Sequence, residues 1–83
     1  MSSAHRTAVI TNQRGLHARA ASKFAALASK FQADIIVSKG SQSVSGCSIM
    51  GLMMLAAGIG SKIELSAHGQ DADVALSAIC KLI

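Results

Sequence analysis

Eighty-three residues allow one hydrophobic core and leave no room for a second domain. The apolar share of 51% is largely alanine, leucine and isoleucine, with two Phe and no Trp or Tyr, so the core has to come from close-packed aliphatic layers. A net charge of +4 points to an anionic ligand or an acidic partner surface more readily than to duplex DNA.

Cys47 and Cys80 form neither a disulfide framework nor a zinc spacing, and no metal site or cofactor is expected. The start, Met1 to Arg6, is followed by no apolar signal-peptide core. The apolar run from Ile49 to Ile59 is shorter than the roughly 20 residues a bilayer span needs. A cytoplasmic protein without membrane insertion is expected.

In chain order, residues 6–11 read as a first strand with Ala8 and Ile10 facing in. Next comes the stretch Asn12-Gln13-Arg14-Gly15-Leu16-His17-Ala18-Arg19, which joins that strand to an alanine-rich helix. Gly15 suits a sharp turn, because glycine adopts backbone angles that other residues avoid. Leu16 is placed to anchor the turn in the core. His17 falls at the helix start, where free backbone N–H groups and the helix dipole favour an anion. Arg14 and Arg19 flank the same point, and phosphate is the simplest anion for such a place.

Ala20, Phe24, Leu27, Ala28 and Phe31 recur at helical spacing and predict the buried face of this helix. Arg19, Lys23 and Lys30 gather on one flank as a basic strip. Residues 34–39 and 42–45 read as a hairpin around Gly40-Ser41. Ser48 is a suitable N-cap for a short helix over residues 49–56, which Gly58 and Gly60 end. In that helix Leu52 and Leu55 are core candidates and Ile49 and Met53 are shared, while Met50 and Met54 are left to the surface, where flexible methionines suit docking.

Residues 61–67 alternate strictly, with Ile63, Leu65 and Ala67 on one side, and His68-Gly69-Gln70 reads as a turn. A last helix over residues 71–82 carries Ala72, Ala75, Leu76, Ile79 and Leu82 at helical spacing, with Asp71 and Asp73 at its start and Lys81 near its end. The order is βαββαβα. It predicts an α+β fold, an antiparallel sheet with helices on one face and water on the other. His5 and His68 read as surface residues, Cys47 as a loop thiol and Cys80 as a core-facing one.

Gly15-Leu16-His17-Ala18-Arg19, followed by Ser48-Ile49-Met50-Gly51-Leu52, resembles HPr, the histidine-containing phosphocarrier of the phosphoenolpyruvate-dependent phosphotransferase system. The resemblance covers essentially the whole chain. It implies an open-faced β-sandwich with sheet order 1-4-2-3 and a single carrier domain over residues 1–83. It also implies that His17 accepts a phosphoryl group on Nδ1 from enzyme I and passes it to an enzyme IIA. Arg19 then steadies the phosphoryl charge, and the N–H groups of Ala18 and Arg19 hydrogen-bond it.

By the same resemblance Ser48 matches the serine modified by HPr kinase/phosphorylase, and Ile49, Met50 and Gly51 match the partner-binding segment. The implied protein is a monomeric carrier, a phosphotransfer intermediate rather than an autonomous enzyme. Ala20 stands where the family's usual motif has proline. Alanine is an excellent helix former, so the helix should survive with a less fixed start. The alanine-bearing variant resembles HPr-like proteins of alphaproteobacteria tied to nitrogen-type regulatory phosphorelays, so sugar transport and nitrogen control both stand as outputs.

The residues also have plainer readings. A histidine at a helix start can simply cap it, a helix arginine is commonly solvated, and serine caps a helix without modification. Beside Gly15 and Arg19, however, His17 is better read as a nucleophile, and the flanking positive charge stabilises phosphoryl oxygens. The alternative from another class is a small basic nucleic-acid-binding module using the strip on the first helix. It lacks aromatic stacking residues and any recognised reading motif.

Overall fold

Period-two burial builds the sheet. Along Lys62–Gly69, Ile63, Leu65, Ala67 and Gly69 are buried, whereas Lys62, Glu64 and His68 stay exposed. The computed structural model describes residues 2–83, ordered β1 (Ser2–Val9), α1 (Ala18–Ala28), β2 (Asp34–Lys39), β3 (Gln42–Ser45), α2 (Ile49–Met54), β4 (Lys62–Gly69) and α3 (Ala72–Leu82).

All neighbouring strands are antiparallel, in the order β1-β4-β2-β3. The pairing of β1 with β4 runs from Ser2 opposite Gly69 to Val9 opposite Lys62. That of β2 with β4 runs from Asp34 opposite His68 to Ser38 opposite Glu64. Ile35, Val37, Ile63, Leu65 and Ala67 turn inward to meet Phe24 of α1, Leu52 and Leu55 of the α2 segment, and Leu76 and Ile79 of α3. The opposite face carries Ser, Thr, Glu and His side chains and is open. This is the α+β layering that the residue pattern predicts, with the open-faced sandwich and strand order that the family resemblance implies.

Several boundaries differ from expectation, each for a visible reason. β1 starts at Ser2 rather than residue 6, because β4 runs on to Gly69 and supplies a ladder for Ser2–Ala4. For the same reason His68 and Gly69 belong to β4 and not to a turn. Ile10 lies past the end of β1 yet stays tied, donating to Ser61 O (2.9 Å) and accepting from Gly60 N (2.8 Å).

The buried stripe of α1 centres on Ala21, Phe24, Ala25 and Ala28, with Ala20 and Leu27 half-buried on its flanks. Small alanines at the centre let the helix approach closely. Phe31 follows the helix end, where Ser29 Oγ donates back to Ala25 O (2.8 Å). α2 stops at Met54, two residues short of expectation. Asp71 precedes α3 without a side-chain cap and instead accepts from Gln32 N (2.9 Å), pinning the loop after α1.

Candidate functional site

The turn between β1 and α1 is locked by its own residues. The side-chain amide of Asn12 donates to Gly15 O (3.1 Å), its Oδ1 accepts from Arg14 N (3.3 Å), and its main-chain carbonyl accepts from Gly15 N (2.9 Å). Gly15 has φ +64, in the left-handed region. There is no room for a side chain there either. An added Cβ would overlap the Ala57 carbonyl oxygen and lie 2.7 Å from Gly58 Cα. Leu16 is buried, and its N–H donates to Ala57 O (2.9 Å). The turn therefore rests on the segment that follows α2.

His17 leaves this turn as the N-cap of α1, in extended conformation (φ −75, ψ −179). Its carbonyl accepts the first intrahelical bond, from Ala21 N (2.8 Å). Its Nδ1 accepts from Arg19 N–H (3.3 Å). Since that N–H can only donate, the lone pair of Nδ1 faces the helix start and the ring proton sits on Nε2. The nitrogen held at the anion-favouring end of the helix is thus the unprotonated one. α1 runs unbroken through Ala20, the position where proline was expected.

An open cavity of about 390 Å³ adjoins the imidazole, with Leu16, Ala20 and Leu82 among its apolar walls and Arg19, Lys23 and Lys81 among its cations. Lys23, which the sequence marks only as solvated strip, and Lys81, read only as a helix-end charge, both reach this wall. Thr11 also lines it. Its N–H and Oγ1 both donate to Ile83 O, at 3.3 and 2.6 Å. On the other side a shallow groove is lined by Arg14, Leu16, His17, Ala56, Ala57 and Gly58. Arg14, Arg19 and His17 therefore share one surface, whereas Lys30 lies past the end of α1.

Ser48 caps α2 as expected, its Oγ accepting from Gly51 N (3.0 Å). Met50 and Met54 are 70% and 72% exposed, Ile49 and Met53 both 42%, while Leu52 and Leu55 are buried. Gly51 itself turns inward. A Cβ there would lie 3.0 Å from Val44 Cβ and 3.1 Å from Ser48 Oγ, so its glycine lets α2 sit down on β3. Cys47 is exposed, and Cys80 packs partly against the core. Among the described residues no group of three or more His, Cys, Asp or Glu side chains could hold a metal ion.

Asn12 is the residue whose importance is easiest to overlook. Its signal is present in the sequence, since asparagine ahead of glycine favours turns by bonding the backbone two residues on.

An open-faced sandwich that presents a histidine at a helix N-terminus, with cations around it, defines a small phosphocarrier. The chain belongs to the HPr family of the phosphotransferase system, whose family profile, "PTS HPr component phosphorylation site", matches residues 4–83. It is 49% identical to the phosphocarrier protein NPr of Shewanella violacea, across 100% of this chain and 91% of that protein. It is 50% identical to the phosphocarrier protein HPr of Neisseria meningitidis, across 89% of this chain and 83% of that one. The crystal structure of HPr from Bacillus anthracis superposes with a TM-score of 0.95 at 36% identity, covering 100% of this chain and 99% of the other. Nothing in these relationships favours nucleic-acid binding.

Proposed function

We propose that His17 accepts a phosphoryl group on Nδ1 from phosphorylated enzyme I and passes it to an enzyme IIA. The observation that carries this reading is the Arg19 N–H to Nδ1 hydrogen bond, which fixes the tautomer and aims the lone pair. The Nδ1 lone pair forms the new N–P bond as the donor's bond to phosphorus breaks, its electron pair leaving with the donor. The Arg19 N–H, released from Nδ1, then donates to a phosphoryl oxygen, joined by the Ala18 N–H in the same first turn. The guanidinium of Arg19 supplies charge matched to phosphate. Transfer needs little more than this positioning and electrostatic support.

Docking in this reading uses Ile49, Met50, Met53 and Met54 beside the rim of His17 and Arg19. Such contacts are transient, so a small interface steered by charge suffices. Regulation at Ser48 by an HPr kinase/phosphorylase belongs to the same proposal. Phosphate there keeps the favourable helix N-terminus while placing negative charge at the edge of the docking surface. Sugar transport and nitrogen-type regulation use the same carrier chemistry, and transfer assays against the cell's enzyme IIA proteins decide between them.

The test is incubation of the monomeric protein with phosphoenolpyruvate and enzyme I. Acid-labile, alkali-stable phosphate is expected on the wild type and none on His17→Ala. Label that persists in His17→Ala would sink the assignment.

A further inference from the structure

Lys39 is the last member of the inward-facing row of β2, following Ile35 and Val37, at a point where the sheet passes under the end of α2. Its Nζ donates to two main-chain carbonyls there, Leu55 O (3.3 Å) and Ala56 O (3.2 Å). Helix C-termini leave carbonyls unpaired and carry partial negative charge, which an ammonium group satisfies on both counts. α2 has no basic residue in its own last turn, so β2 brings the cation to it.

The second observation lies one residue further on. Ala56 has φ +53 and is the one non-glycine residue with positive φ among those described. An L-residue stays in that region only when its surroundings hold it there. Ala57 follows, and its carbonyl receives Leu16 N at 2.9 Å while its backbone fills the space over Gly15. Ala56, Ala57 and Gly58 then line the groove that His17 and Arg14 share.

From these contacts we infer that Lys39 is a positioning residue for phosphotransfer. Its ammonium group clamps Ala56 in the left-handed conformation, so that Ala57 presents its carbonyl to Leu16 and sets the seat of His17. The inference rests on His17 being the phosphoryl acceptor, and it adds a residue on the far side of α2 to the machinery. It also gives one mechanical joint to two functions, because the end of the docking helix and the base of the His17 turn meet at Ala56-Ala57.

The test compares Lys39→Met, Lys39→Arg, Ala56→Gly and the Lys39→Met/Ala56→Gly pair, with Lys62→Met as an exposed control that loses the same charge. The first readout is the ¹⁵N spectrum of the His17 ring and the Arg19 amide in the unphosphorylated protein. Lys39→Met is expected to shift both, and Lys39→Arg and Lys62→Met to leave them in place. The second readout is phosphoryl transfer from phosphoenolpyruvate through enzyme I.

In that assay Lys39→Met should lower kcat about three- to tenfold, a fraction of the ~100-fold that a full ångström of misplacement can cost, with little change in KM. Glycine at 56 needs no clamp, so the double variant should recover most of the loss. An unmoved His17 spectrum in Lys39→Met would overturn the inference, as would a loss confined to KM or one that Ala56→Gly leaves uncorrected. A wild type that takes no phosphoryl group would instead overturn the acceptor role of His17, and the ring spectrum would still decide whether Lys39 sets its position.

Discussion

Gly15 offers the most direct test of how this protein seats its histidine. Replacing it with alanine imposes two separate costs. A non-glycine residue at φ +64 carries backbone strain of about 1–3 kcal/mol. The new Cβ would also collide with main-chain atoms, the Ala57 carbonyl oxygen and, at 2.7 Å, Gly58 Cα, which cannot swing aside as a side-chain tip can. Overpacking of this kind costs a further ~1–3 kcal/mol. The sum is a large share of the roughly 4–12 kcal/mol expected for a domain of 83 residues.

Gly40 and Gly60 provide internal controls. Both have positive φ, +61 and +84, and neither would place a Cβ within 4 Å of any neighbour. Alanine at either site should incur the backbone cost alone. In urea, where small proteins lose about 1 kcal/mol of stability per molar, Gly15→Ala should therefore melt ~1–3 M below the two controls. Its ¹⁵N signature at His17 should change as well, because the Leu16–Ala57 bond must yield to make space. Equal midpoints for the three variants would refute the claim that the Ala57-Gly58 backbone is the seat of the turn.

Three further outcomes follow from the same geometry. Ala56→Gly removes the left-handed strain at φ +53 and should stabilise the protein by about 0.5–1 kcal/mol, raising Tm by ~2–8 °C in a thermal melt. Ser48→Ala deletes the cap on Gly51 N and should cost about 0.5–2 kcal/mol in urea titration, whereas Ser48→Asp, which keeps an acceptor there, should cost less. Met50→Asp changes a side chain that is 70% exposed, so stability should stay within about 0.5 kcal/mol while KM for phosphoryl transfer through enzyme I rises.

The α+β layering and all seven elements are legible in the residue pattern, because strict alternation along β4 and the apolar stripe of α3 leave little choice of period. Boundaries are less legible. Ser2, Ser3 and His68 have no strong strand preference, and they become strand because the ladder carries on there, with Ser2 opposite Gly69 and Ser3 opposite His68. The face of α1 is rotated toward Ala21 and Ala25 for a related reason, since hydropathy ranks leucine above alanine but close packing selects the smaller residue.

At the site, His17, Arg19 and Ser48 are marked by their local sequence. Lys81 and Lys39 are not, because what gives them a place is contact across the fold. Lys81 reaches the cavity wall from α3 and Lys39 reaches the end of α2 from β2. No spacing rule links residues that meet only once the chain has folded.

The open character of the site follows from what a carrier has to do. In the proposed cycle two different proteins must each approach the same phosphorus in line, one to deliver it and one to remove it. An enclosed pocket would strengthen every electrostatic contact to the phosphoryl group, yet it would shut out the second partner. Here the imidazole is half-buried and its neighbours are main-chain N–H groups at a helix start, with cations at the rim of an open cavity. The fixed donors supply orientation without walls, and the rim cations supply charge without a lid. Holding the group too tightly would slow its departure, so moderate support at the surface suits both halves of the relay. It also explains why the bracing hydrogen bonds lie beneath His17, in the Asn12 turn and at the Ala57 carbonyl, rather than around the face that partners must reach.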